Sequence, residues 1–298
     1  MSIFPAELFL LVFQHLQAVG STQDLASIAG VSSLFHDLVV PLLYRVVTAD
    51  NERYVDALHT SLQRHPAKGA LIWHLVLPRH IPIIVQDEDS EEGLWWTDMM
   101  LEILTACTCL RSLEIHPTSE VVVEAIPWTT LERLSIATRK YTILRAILPH
   151  CNNIKHLNLI DFNHIAEHCI DVLEDPDMWT KTQLPLLELA SAEWVDLEPF
   201  DRVYLPMRLL IFVDRLLSLP QLRRVVLSVY APPFLLGNRD FIGPMDPPPS
   251  FALLRQLKSS RVFIAAGQSA HALWKEHLAG ELSYEEIGDP VYEEKGEP

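Results

Sequence analysis

Apolar residues fall at helical spacing at the start of the chain and change to a shorter, alternating pattern further on. Pro5 suits a first helical turn, where its missing N–H leaves no bond unmade. After it, Leu8, Leu11, Val12 and Leu16 recur at helical spacing, while Phe9, Leu10 and Phe13 widen the apolar stripe round the cylinder. Gly20 is expected to end this helix. Ser21, with Asp24 three residues on, reads as a capping box starting a second helix that carries Leu25, Ile28 and Ala29. Gly30 breaks the chain again. Val31, Phe35 and Leu38 then recur at i, i+4 and i+7, and Pro41 opens a last short turn through Leu42, Leu43 and Tyr44. Residues 1–50 are therefore predicted to form a tight all-α cluster.

A connecting helix is predicted over 51–70, with Tyr54, Val55, Leu58 and Leu62 on one face and Pro66 and Gly69 at its end. The acidic run from Asp87 to Glu92 predicts a solvated loop. From residue 72 a motif apolar-x-x-apolar-x-apolar recurs, as Ile72/Leu75/Leu77, Leu110/Leu113/Ile115, Leu131/Leu134/Ile136, Ile154/Leu157/Leu159, Leu184/Leu187/Leu189 and Leu222/Val225/Leu227. The last two apolar positions of each alternate, as in a short strand with one buried face. Helical patterns follow several of them, at Tyr141 to Leu148 and Ile165 to Leu173. The Pro-rich segment 231–249 predicts a long loop. Beyond it, Arg261 to Ala266 reads as a final strand, Ala270 to Ala279 as a capping helix, and the acidic tail from Glu285 as mobile.

Within residues 3–47, 27 of 45 are apolar and only Glu7, Asp24, Asp37 and Arg45 carry formal charge, more oil than three short helices can hide. Burying one large side chain is worth roughly 1.5–3 kcal/mol, so leaving four exposed forfeits on the order of 6–12 kcal/mol, comparable to a domain's whole stability. The surplus must pack on the rest of the chain, on a partner, or on both.

The stretch IFPAELFLLVFQHLQAVGSTQDLASIAGVSSLFHDLVVPLLYRVV resembles an F-box. The matching features are the apolar-Pro-x-Glu opening, the apolar helix after it, Asp-Leu-Ala-Ser-Ile-Ala, and Val-Ser-x-x-Phe-x-x-Leu. The closing Pro-Leu-Leu-Tyr-Arg is common in fungal F-box proteins. Phe4 stands where that family usually has Leu, and Phe35 where Trp is frequent; both keep a large apolar group. The resemblance implies docking on the Skp adaptor of an SCF (Skp–cullin–F-box) ubiquitin ligase. By position it implies that Phe4, Pro5, Leu8, Leu11, Val12, Leu16, Leu25, Ile28, Val31, Phe35 and Leu38 make that surface, about half of them doubling as the cluster's own core. The strand, loop and helix pattern over 71–266 resembles a degenerate leucine-rich-repeat solenoid, with 267–298 as cap and tail. The expected fold class is thus α/β: an all-α F-box followed by an irregular solenoid of short parallel strands and helices.

Net charge sharpens the picture. At −16, with a sequence pI near 5.2, the chain lacks the basic face a phosphate-backbone binder needs, so no nucleic-acid partner is expected. The longest apolar run, Leu8 to Phe13, has six residues against the roughly 20 that span a bilayer, so no membrane partner is expected. No Lys or Arg precedes Arg45, so a signal peptide is not expected either. Four cysteines, Cys107, Cys109, Cys151 and Cys169, make no disulfide framework. A reducing compartment, cytosol or nucleus, is expected.

Candidate chemistry is sparse. His164-Ile-Ala-Glu167-His168 spells H-x-x-E-H, the inverted zinc-protease signature, which would put two imidazoles on one helix face beside a carboxylate. No third ligand is announced, so a zinc hydrolase is the lesser alternative. Cys107-x-Cys109 and His150-Cys151 lack the paired spacing of structural zinc, and no Gly-rich phosphate loop occurs. No metal, cofactor or catalytic residue is therefore expected. In a repeat solenoid, residues between the apolar positions face the concave side: Glu114 and His116, Ser135 and Ala137, Asn158 and Ile160, Glu188 and Ala190, Val226 and Ser228. These are the candidate substrate surface. The expected function is a non-catalytic SCF adaptor that holds a protein substrate near the ligase and acts by proximity. A protein that binds the Skp adaptor without a ligase role is the alternative of the same class.

Overall fold

The computed structural model describes residues 5–18, 22–49, 51–78, 91–117, 119–137, 141–151, 153–160, 186–191, 222–229 and 256–266, with isolated positions within 210–218 and the pair 289–290. It is an α/β fold with helices at the N-terminus and parallel strands after them. The chain divides into two compact units, Met1–Glu114 with Ala125–Thr130, and Ile115–Glu124 with Leu131–Pro298.

The first unit opens with α1 (Ala6–Ala18), α2 (Thr22–Ala29) and α3 (Ser33–Arg45). Ser32 caps α3, its hydroxyl accepting from the Phe35 N–H at 3.2 Å. Pro41, expected to open a new turn, lies inside α3. It is exposed there while Val39 and Leu42 beside it are buried, so the core contact outweighs the missing N–H. Helix α3 passes without a break into β1 (Val46–Thr48), a strand the periodicity did not reveal because three residues are too few to show it. Helix α4 (Glu52–Arg64) follows, capped by Asn51, whose side chain accepts from the Tyr54 N–H at 3.1 Å. It ends at Pro66, earlier than the predicted 51–70, and Pro66–Leu71 continues as a 3-10 helix. Gly69 is required there, since a Cβ would collide with the Ala106 backbone carbonyl.

Strand β2 (His74–Val76), helix α5 (Glu91–Ala106) and strand β3 (Ser112–Ile115, its last residue counted with the second unit) follow. Strands β1, β2 and β3 are parallel and in register, with Val47, Leu75 and Leu113 aligned. Glu91 and Glu92, read as part of an acidic loop, instead lie in the backbone of α5 at its start. Helices α4 and α5 pack together, and Glu102 of α5 accepts from Gln63 at 3.0 Å and bonds His59 Nε2 at 2.7 Å.

The second unit holds α6 (Glu120–Glu124), β4 (Arg133–Ala137), α7 (Tyr141–Ile147), β5 (His156–Ile160), β6 (Leu186–Ser191), β7 (Arg224–Val229), β8 (Val262–Ala266) and β9 (Asp289–Pro290). Strands β4 to β8 pair in parallel in chain order, and β9 runs antiparallel to β8. The register aligns Leu134, Leu157, Leu187 and Val225 in one row, and Ile136, Leu159, Leu189, Leu227 and Ile264 in another. The recurring apolar motif thus becomes ladders of like residues on one sheet face. The second helical pattern (165–173), the Pro-rich segment 231–249, the capping helix 270–279 and most of the tail lie outside the described residues.

Candidate docking surface and the strand face

Helix α1 divides its apolar residues between two faces. Phe9 and Phe13 turn inward and meet Phe35 of α3 with ring centroids 4.9 and 5.4 Å away. Leu25, Val39 and Leu42 close this core, with Leu10, Leu16, Ile28 and Leu38 packed partly against it. Gln17 ties α1 to α3 by donating to the Leu42 carbonyl at 2.6 Å. On the other face, Leu8 is 47% exposed, Leu11 61% and Val12 57%, while Val31, in the turn before α3, is 69% exposed and Leu34 45%. Leu8, Leu11 and Val12, at i, i+3 and i+4 of one helix, leave an apolar stripe in water that is the candidate docking surface.

Of the residues that the resemblance selected, Pro5, Leu8, Leu11, Val12 and Val31 are exposed, and Leu16, Ile28, Phe35 and Leu38 are half-buried. Leu25 is fully buried and makes core contacts only, so it is removed from the surface: its place on α2 points at Phe13 and Val39. Phe4 lies outside the described residues. Leu34 was missed. The signal lay in α3 itself, where Phe35, Val39 and Leu42 recur at i, i+4 and i+7 as the inner stripe and leave Val31 and Leu34 as an outer i, i+3 pair.

The expected substrate surface differs from expectation. Glu114, Ser135, Asn158 and Val226 are buried, so the strand face between the apolar rows is covered and is not an open concavity at those positions. His116 is half-buried. The side chains of Ala137, Ile160, Glu188, Ala190 and Ser228 lie outside the described residues. Ser135 Oγ and Asn158 Oδ1, on paired positions of β4 and β5, have no hydrogen-bond partner among the described residues. Such a group forfeits roughly 1–3 kcal/mol relative to a paired one.

Nothing in the described residues assembles a reactive centre. Cys107 and Cys151 are buried, and that burial pushes both thiols up to about 12, far from nucleophilic thiolates; Cys109 is exposed. No group of three or more His, Cys, Asp or Glu residues could hold a metal ion among the described residues. His164, Glu167, His168 and Cys169 lie outside them. An open cavity of about 310 Å³ lies between the end of α3, β1 and α4, lined by residues including Leu43, Tyr44, Val47, Tyr54 and Ser61. Tyr44 accepts from Lys68 Nζ at 3.0 Å and stands 3.4 Å from Ser61 Oγ. Burial would raise the phenol's pKa, but these bonds to Ser61 and Lys68 together hold it below its ordinary value. The lining offers apolar contact and hydroxyls but no carboxylate or imidazole for acid–base work. No helix among the described residues is long and apolar enough to cross a membrane.

No protein-family model matches the chain, and no curated protein is significantly similar to it.

Proposed function

We propose that the chain is a substrate-recognition adaptor of an SCF-type ubiquitin ligase. On this reading the N-terminal helices dock on the Skp adaptor, through it on cullin, and the later region is a leucine-rich-repeat-like solenoid that holds a protein substrate. One observation carries the reading: Leu8, Leu11, Val12, Val31 and Leu34 stand in water beside a cluster whose core is already filled by Phe13, Leu25, Val39 and Leu42. A helix face of this kind is suited to entering a partner's apolar groove, the anchors being spaced at i, i+3 and i+4. The ligase would then gain rate by raising the local concentration of substrate, and this chain would catalyse nothing itself. The protein would work inside the cell, in cytoplasm or nucleus.

The test is co-purification with the Skp adaptor, comparing the intact chain with Leu8→Asp plus Leu11→Asp. Two carboxylates forced into a dry interface cost several kcal/mol, about a hundredfold or more in affinity, so the complex should be lost while circular dichroism stays unchanged. Undiminished retention of the adaptor by the folded double variant would remove the proposal.

A further inference from the structure

Strand β1 stands first in the order of the sheet, with β2 on one side of it. The Arg45 carbonyl accepts from the Trp73 N–H at 3.0 Å and the Ala49 N–H donates to the Val76 carbonyl at 2.8 Å, so the odd-numbered residues turn their backbone groups to β2. Alternation along a parallel strand then turns the Val46 and Thr48 carbonyls and the Thr48 N–H to the outer edge. Both Val46 and Thr48 are exposed. Proteins commonly blunt an edge with lysine, proline, a bulge or an inward charge. The run Val46-Val47-Thr48 is instead uncharged and β-branched throughout, a composition suited to pairing.

The open cavity of about 310 Å³ adjoins this strand. Val47, Leu75 and Leu113 form one apolar row across β1, β2 and β3. Leu75 and Leu113 are fully buried, whereas Val47, at the end of the row, is only half-buried and lines the cavity. Leu43 of α3 and Leu58 of α4 line it as well, with the Tyr44 and Ser61 hydroxyls 3.4 Å apart in its wall. The next place in the row belongs to a strand about 4.8 Å further out, on the side where the cavity opens.

Edge and cavity together select the occupant. A small apolar molecule would fill the cavity and make no use of the edge. A helix would bring apolar anchors, but its backbone groups are already paired within itself. An extended peptide brings both, backbone groups to the edge and alternate side chains to the cavity. We propose that the outer edge of β1 receives an extended peptide segment of another protein as an added strand, with a large apolar side chain anchored in the cavity between α3, β1 and α4. Three residues of pairing hold little by themselves, so the anchor carries the affinity and the backbone bonds fix direction and register. The chain's net charge of −16 favours a peptide with basic flanks. This site is independent of the adaptor reading, which rests on the helix face bearing Leu8 and Leu11.

The experiment titrates the full chain with the capped heptapeptide Lys-Thr-Val-Thr-Leu-Thr-Lys by isothermal titration calorimetry. Its valine and leucine share one face when extended. Saturable binding is expected, weakened at least tenfold when serine replaces the leucine. Two further peptides carry N-methyl groups on alternate amides, one on the threonines and one on the valine and leucine. Only one of these should lose binding, because a strand turns alternate N–H groups to its neighbour. On the protein, Ala57→Trp fills the mouth of the cavity from an exposed position, and Thr48→Pro removes the outer N–H without touching the bonds to β2. Each should weaken binding at least tenfold with the thermal melt unchanged. Leu8→Asp plus Leu11→Asp should bind the peptide as the wild type does, which keeps this site separable from the adaptor reading. Absence of saturable binding, undiminished binding by Ala57→Trp or Thr48→Pro, or equal behaviour of the two N-methylated peptides overturns the added strand. A dimer by light scattering that takes no peptide assigns the edge to a second copy and overturns it too. Should Thr48→Pro lose its fold, the N-methylated pair decides in its place.

Discussion

The N-terminal helices and the strands beyond them make opposite errors of solubility. The helices expose leucine and valine at Leu8, Leu11, Val12, Val31 and Leu34, whereas the strands seal away Ser112, Glu114, Ser135, His156 and Asn158. Each departure costs free energy in an isolated chain. Exposed apolar side chains forfeit their burial, and enclosed polar atoms lose water without full replacement. On the proposed reading the first imbalance would be corrected by a protein surface from outside, whereas the second can be met only by polar partners within. The contrast separates a region that leaves apolar side chains in water from one that encloses polar side chains.

The sharpest way to break this contrast is to place one charge on each face of the helical cluster. Leu25→Asp puts a carboxylate in a filled core and should destabilise by about 4 kcal/mol or more, unfolding the cluster in a thermal or urea melt. Leu11→Asp should change stability by less than about 0.5 kcal/mol, because its site is already wet. Similar losses in the two variants would show that the outer face is not free.

The sealed region can be probed by alkali. Cys107 and Cys151 have folded-state pKa values pushed up to about 12, above an ordinary value near 9, so the unfolded chain releases their protons first as pH rises. Their contribution is therefore full below about pH 9 and is lost between about 9 and 12, at about 1.4 kcal/mol per pH unit for each thiol. Melts at rising pH should show this decline, and Cys151→Ala should flatten it. An identical slope in wild type and variant would mean the thiol is not enclosed.

The smallest effect has the most informative sign. Ser135→Ala removes a buried hydroxyl that has no partner among the described residues and should stabilise by about 1 kcal/mol, read as a melting point a few degrees higher. A lower melting point would show that this hydroxyl is satisfied and that the strands bury less unpaired polarity than the contrast requires.

Strand positions were readable because each apolar motif satisfies two constraints at once, alternation within a strand and alignment with its neighbours. Leu134/Ile136, Leu157/Leu159 and Val225/Leu227 all fall in strands and in matching rows. Burial of the opposite face was not readable. Alternation implies that Ser135 and Asn158 face away from the apolar rows, but what lies over them depends on distant parts of the chain. The helix faces were half readable: spacing grouped Val31 with Phe35 and Leu38, although Val31 sits in a turn and looks outward. The cavity beside β1 could not be read at all, since Leu43, Val47 and Leu58 come to line one space only through the fold.

Helix α3 gives way to β1 at Arg45–Val46 with no residue spared for a hinge. On the proposed reading, a partner seated on the outer helices would hold the first strand through a direct helix–strand junction rather than a tether. On that reading, cargo carried near β1 would be aimed by the docked helices as well as held by them. Lengthening that junction by two glycines would keep both ends intact and abolish the aim.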